Sequence, residues 1–107
     1  MNIKHYTYRV TWSQEDDGHV AFCVEFPSLS WLAKTPETAL RGIQKVVAEA
    51  IIDMEANGET IPQPLAEKRY GGEFRVRIPP HLHRSLALAA AEEGVSLNRL
   101  ASAKLAA

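Results

Sequence analysis

The sequence has little cysteine, no long apolar run and no strong excess of charge of one sign. Cys23 is the single cysteine among 107 residues, which excludes an internal disulfide and fits a reducing compartment. The stretch MNIKHYTYRV lacks the apolar core of a signal peptide, and no apolar run reaches membrane-spanning length. With 46% hydrophobic residues and a formal net charge of −1, the composition predicts a globular cytoplasmic protein.

Patterns typical of catalysis or metal binding are also lacking. His81 and His83 are two residues apart near a predicted helix start, so they would not share a face as a metal pair does. Five acidic residues are candidates for two-metal phosphodiester chemistry: Asp16, Asp17, Glu25, Glu49 and Asp53. They are scattered, and we interpret them as solvated surface charge. We therefore expect no catalytic activity, no metal and no cofactor.

Charge is divided unevenly along the chain. Residues 1–70 hold seven Lys/Arg against ten Asp/Glu, whereas residues 71–107 hold five against three. Residues 58–72 contain two prolines and three glycines without sustained periodicity, which is typical of a linker, although Ile61 and Leu65 have the character of residues that dock. The predicted organisation is an N-terminal domain, a linker and a C-terminal domain, at residues 1–60, 61–72 and 73–107.

The strand predicted at the start of the C-terminal domain has one apolar and one polar face. Its apolar side chains alternate with charged ones because successive residues of a strand point to opposite faces. The apolar set is Phe74, Val76 and Ile78, and the charged set is Glu73, Arg75 and Arg77. Alternation of this kind also occurs in any half-exposed surface strand. The residues that follow the strand are therefore needed to distinguish a DNA-binding strand from an ordinary one.

Two short helices are predicted after this strand. Pro79-Pro80 ends the strand and suits the first turn of a helix, and Gly94 suits a left-handed cap at its end. Ser96 can cap a second helix that carries Leu97 and Leu100 on one side. A strand followed by two helices in about 35 residues resembles a ribbon-helix-helix DNA-binding domain, too small to fold alone.

Pairing two copies of such a domain would solve its lack of a core. The two strands would form an antiparallel ribbon, with Phe74, Val76 and Ile78 as the dimer core. A two-stranded ribbon fits the major groove of B-DNA, where Arg75, Arg77 and Glu73 would contact bases. The N-terminus of the second helix, with Ser96 and Asn98, would contact a phosphate. We expect a homodimer on double-stranded DNA, and leave a tetramer open.

The N-terminal domain is predicted as an antiparallel sheet covered by one helix. Residues 5–13 and 19–26 form a hairpin in this prediction, with Trp12 opposite Val20 and both apolar sets on one side. Leu29–Ala33 is a third strand. Thr35 caps a helix whose apolar positions recur at helical spacing: Leu40, Ile43, Val47, Ala50, Ile51 and Met54. The fold class expected for the whole chain is α+β.

Over nearly its full length the chain resembles the HicB antitoxins. Phe26-Pro27-Ser28-Leu29 resembles the Pro-Gly-Leu turn of that family, with Ser28 in place of the usual glycine. Residues 35–40 resemble its acidic Thr-x-Glu-Ala-Leu signature, although the approach Leu32-Ala33-Lys34 departs from the usual Gly-containing one. The stretch from Ile78-Pro79 to Ser96-Leu97-Asn98 resembles the HicB tail. The resemblance implies a partial ribonuclease-H-like N-terminal domain.

The same resemblance implies a function with two parts. The N-terminal domain would bind and block a HicA-like toxin, a small ribonuclease that cleaves mRNA, and the ribbon-helix-helix domain would repress the operon that encodes both. An acidic N-terminal domain suits a basic RNA-cleaving partner. The toxin-contacting surface stays open, with Trp31 and the polar sheet residues Thr7, Arg9 and Thr11 as candidates. The alternative is a solitary regulator whose N-terminal domain oligomerises or senses a ligand.

Overall fold

The computed structural model describes residues 2–107 and has the predicted α+β class. A three-stranded antiparallel sheet in the order β1-β2-β3 is followed by three helices. The strands are β1 (Tyr8–Ser13), β2 (Gly18–Cys23) and β3 (Phe26–Ala33), the helices are α1 (Pro36–Ala56), α2 (Pro80–Glu93) and α3 (Leu97–Ala106), and single 3-10 turns lie at Ile3–His5 and Leu65–Glu67. The chain divides into two compact units, Met1–Tyr70 and Gly71–Ala107.

Helix α1 begins and packs as its sequence predicts. The Thr35 hydroxyl accepts a hydrogen bond from the Thr38 N–H, and the Thr35 N–H donates in return to the Thr38 hydroxyl oxygen, so both ends of the capping box are satisfied. One face of the helix is buried against the sheet at Ala39, Ile43, Val47 and Ile51. Burial of this stripe holds the first unit together.

The predicted pairing of β1 with β2 is wrong by one residue. Tyr8 lies opposite Cys23 and Trp12 lies opposite His19, whereas Trp12 was expected opposite Val20. Directly opposed residues of an antiparallel pair share a face, so the shift exchanges the two faces of β2.

Small side chains of β2 therefore face α1, and its larger ones face away. Ala21 and Cys23 are 0% and 1% exposed, while Phe22 is 39% exposed on the opposite face. All residues from Val20 to Val24 are apolar, so no alternation in the sequence marks the inner face. The small pair fits below the helix because α1 supplies the bulk of the core from Ile43 and Val47.

A close approach between α1 and β3 is made at Gly42. A Cβ at this position would lie 2.0 Å from Cδ1 of Trp31, so the indole occupies the space that any other residue would need. Glycine costs about 1 kcal/mol in a helix interior relative to alanine. Trp31 thus packs against the helix on one side while remaining partly exposed on the other.

The helices of the second unit have the predicted ends. Pro80 stands at the first position of α2, and Gly94 closes the helix in the left-handed conformation with φ of 68°. The Val95 N–H then bonds to the Ala90 carbonyl at 3.0 Å. Ser96 Oγ accepts from the Arg99 N–H at 3.1 Å and so caps α3. No helix within residues 2–107 is both long and apolar enough to cross a membrane.

Candidate functional site

The apolar side chains of the second unit are mostly exposed. Residues 73–78, predicted as a strand, precede α2 without a pairing strand in the single chain. Phe74 is 77% and Val76 is 60% exposed. The buried residues of this unit are Ala90 and Leu100 alone. So small a buried core cannot offset the entropy of ordering some 35 residues, and the unit has unused apolar surface.

A groove of about 1050 Å³ lies between the segment before α2 and the two helices. Apolar side chains from all three parts line it: Phe74, Val76, Leu86, Leu97 and Leu105. Residues 73–78 have no strand partner and border an apolar groove, so the unit offers apolar surface for burial against a partner.

The predicted DNA-contacting side chains lie in this same unit. Arg75, Arg77 and Glu73 are exposed, and Glu73 and Arg75 stand beside the groove. Ser96 and Asn98 are exposed at the start of α3. The Arg99 N–H already donates to the Ser96 hydroxyl oxygen, so the N–H groups of Leu97 and Asn98 are the first-turn donors that suit an anion. The roles of these residues stay predictions.

A second constellation in the first unit was missed by the sequence reasoning. Glu25, at the turn between β2 and β3, accepts hydrogen bonds from the N–H of Thr7 at 2.9 Å and the N–H of Leu65 at 2.9 Å. The Tyr6 hydroxyl donates to the Pro62 carbonyl at 2.7 Å, and Pro64 is fully buried. We call this set, which holds residues 62–67 on the first unit, the clasp.

The clasp changes the interpretation of the stretch that was predicted as a linker. Part of the stretch predicted as a linker, residues 61–72, docks on the first unit, as its apolar Ile61 and Leu65 suggested. His5 Nδ1 and Glu67 Oε2 lie 2.9 Å apart at the surface, which is hydrogen-bonding distance. A sequence signal existed in Pro62 and Pro64, since prolines lower the entropy lost when a segment docks.

Protonation of Glu25 should loosen the clasp. Partial burial acts to raise the pKa of Glu25, but the N–H donors of Leu65 and Thr7 outweigh it and hold this pKa below its ordinary value of 4.5. A carboxylate with a depressed pKa contributes stability above 4.5 and loses it as the pH falls through the folded-state pKa. We expect the hydrogen-exchange protection of the Leu65 amide to fall in acid in the natural chain.

Two variants of Glu25 separate the effect of its charge from the effect of its hydrogen bonds. In Glu25→Gln the side chain cannot ionise, so Leu65 protection relative to the intrinsic exchange rate should lose its acid dependence. In Glu25→Ala the protection should be low at every pH. Equal protection of Leu65 in all three chains would show that the carboxylate does not hold the segment.

The other acidic candidates do not meet Glu25. Asp16 accepts a hydrogen bond from Ser13 Oγ at 2.9 Å in the β1–β2 turn, and Glu49 and Asp53 lie on the exposed side of α1. Within residues 2–107, no group of three or more His, Cys, Asp or Glu side chains is placed to hold a metal ion.

Comparison with known proteins bears on the second unit above all. No curated protein and no solved structure matches the chain, so the partial ribonuclease-H-like fold of the first unit stays a prediction. The match that exists begins in the last turn of α1 and covers the clasped segment, α2 and nearly all of α3. Over residues 55–105, the chain is similar to the HicB family, whose model matches this stretch.

Proposed function

We propose that this protein is a HicB-type antitoxin of a type II toxin–antitoxin pair, which neutralises a HicA-like mRNA-cleaving toxin and represses its own operon. The observation that carries the proposal is the exposed apolar surface of the second unit, at Phe74 and Val76, within the stretch that is similar to HicB. The HicB family is associated with antitoxins, and a toxin is the partner that this association suggests.

Dimerisation through residues 73–78 would bury this exposed apolar surface. Antiparallel pairing with a second copy would satisfy the open backbone groups, and Phe74, Val76 and Ile78 would be buried between two pairs of helices. The groove of about 1050 Å³ is the space that a second ribbon-helix-helix domain would fill. Fully burying a side chain such as Val or Phe contributes about 1.5–3 kcal/mol, so six such side chains can stabilise a dimer.

The ribbon would then present its charged face to DNA. In the paired ribbon, Arg75 and Arg77 of each copy would project from the charged side, and the guanidinium fork can bond to O6 and N7 of guanine bidentately. Glu73 would accept from a cytosine amine, and the start of α3 at Ser96 and Asn98 would hold a phosphate. The ribbon of a dimer would carry four arginines, so it would be locally positive although the net charge of each chain is −1.

The first unit would bind the toxin without catalysing a reaction. Residues 1–70 carry the acidic excess of the chain, which suits a basic partner that itself binds RNA. The dispersed carboxylates support a binding role, with Glu25 engaged in the clasp.

A gel shift with DNA from the promoter of the gene, combined with sizing of the free protein, tests the proposal. We expect specific binding by a dimer or larger assembly, and weaker binding as salt rises because condensed counterions are released from the phosphates. A monomer that ignores this DNA would overturn the ribbon assignment. A dimer that binds DNA but does not inhibit the ribonuclease encoded by a neighbouring gene would favour the solitary regulator.

A further inference from the structure

The outer edge of β1 is a row of open backbone groups. β1 stands at one end of the sheet order, and within residues 2–107 it pairs only with β2. Val24 donates its N–H to the Thr7 carbonyl at 2.9 Å, which shows that Thr7 turns its polar backbone groups towards β2. By the two-residue period of an antiparallel ladder, Arg9 and Thr11 do the same. The N–H and C=O groups of Tyr8, Val10 and Trp12 therefore point outward.

The two edges of the sheet differ in how well they could accept another strand. β3 contains Pro27, which lacks an N–H, and its pairing with β2 is interrupted between Phe22 and Cys23. β1 has no proline, its pairing with β2 is regular, and Arg9 is its one charged residue. Natural proteins block exposed edges with proline, bulges and inward charges, and β1 has none of these.

We propose that β1 pairs antiparallel with β1 of a second copy, so that two first units share a continuous six-stranded sheet. A two-fold axis at Val10 places Val10 opposite Val10 of the second copy and Tyr8 opposite Trp12. In this register every outward-pointing backbone group of Tyr8, Val10 and Trp12 meets another. The proposal concerns the first unit and does not depend on DNA binding.

Charge and aromatic pairing select this register over its neighbours. Here Arg9 lies opposite Thr11 of the second copy, so no like charges meet. A shift of the axis to Arg9 would oppose the two arginines and leave Trp12 beyond the strand end, and a shift to Thr11 would leave Tyr8 unpaired. The Trp12 ring is held on the same side as Tyr8 by an edge contact with His19, with centroids 5.1 Å apart, and by a hydrogen bond to Gln14.

Cysteine substitutions test the register in the full chain. In the proposed pairing, the Cα atoms of Val10 in the two copies are about 5.5 Å apart, within the range of a disulfide, whereas those of Thr11 are roughly 8 Å apart and outside it. After mild oxidation we expect V10C to migrate as a covalent dimer and T11C to remain single. The unaltered chain is the control, because its Cys23 is buried.

Charge substitutions at exposed Thr11 provide a second test that does not threaten the core. T11E would face Arg9 of the second copy and should strengthen association, whereas T11R would oppose two arginines and should weaken it, with a difference that shrinks as salt rises. Sedimentation of the full chains measures both. Cross-linking of T11C in place of V10C would overturn the register. Absence of any cross-link, with T11E and T11R sedimenting alike, would overturn self-pairing and leave the edge to a different protein.

This test is separable from that of the proposed function. A chain that cross-links at V10C but does not bind promoter DNA would support the pairing of β1 and contradict the DNA-binding ribbon. A chain that binds promoter DNA as a dimer without cross-linking at V10C would do the reverse.

Discussion

Replacing Arg75 and Arg77 together with alanine should reduce affinity for operator DNA by at least about 1000-fold, because each bidentate arginine–guanine pair is worth about 1–3 kcal/mol. A dimer loses two arginines from each copy. Both side chains are exposed and take part in no ion pair within residues 2–107, so the folded units should survive the change. Quantitative gel shifts against operator and unrelated DNA measure the effect.

The matched control keeps the charge and removes the fork. With Arg75 and Arg77 both changed to lysine, phosphate attraction persists while bidentate bonding to guanine is lost. This variant should bind operator and unrelated DNA almost equally, with a salt dependence close to that of the natural chain. Unchanged operator specificity in the lysine variant would place base recognition elsewhere than on the ribbon.

The second unit was predictable from sequence to the extent that its signals are local. Pro80, Gly94 and Ser96 fix where α2 and α3 begin and end, and the structure has each of them in the expected backbone role. The strand pairing proposed for residues 73–78 is a different case. A strand makes its hydrogen bonds with a neighbouring strand. Whether residues 73–78 form one therefore depends on contacts with a second copy, which the sequence of a single chain does not specify.

In the first unit, local sequence signals predict the buried face of α1 but not that of β2. The stripe on α1 follows a period of 3.6 and was predicted, with Ala39 as a missed member. The inner face of β2 was not predicted correctly. Val20, Ala21 and Phe22 are all apolar, so which face of β2 is buried depends on how closely α1 approaches the sheet. Gly42 was the available signal of that close approach, since it permits Trp31 of β3 to lie against the helix.

The hydrogen bonds of Glu25 within the clasp could not be predicted for a related reason. Glu25 is bonded by Thr7 and by Leu65, which lies 40 residues further along the chain. Contacts of this range are set by the packed structure and leave no periodic trace in the sequence. The same holds for the open edge of β1, which follows from the register and not from the composition of Tyr8–Ser13.

Ile43→Ala should destabilise the first unit by about 2–5 kcal/mol, the range for a large buried aliphatic side chain cut back to alanine. Ile43 is 0% exposed and packs where α1 crosses the small residues of β2, so its loss leaves a cavity that neighbouring side chains cannot fill. Ile52 on the same helix is 69% exposed, and Ile52→Ala should change the free energy of unfolding by no more than about 0.5 kcal/mol.

Both tryptophans, Trp12 and Trp31, lie in the first unit, so their fluorescence in urea follows its unfolding without a contribution from the second. The Ile43→Ala transition should move to lower urea, while the Ile52→Ala transition coincides with that of the natural chain. If the two units unfold independently, exchange of backbone amides in α2 and α3 should be unaffected by Ile43→Ala. Equal shifts for both variants would mean that the face of α1 assigned to the core is wrong, and accelerated exchange in α2 would mean that the units unfold as one.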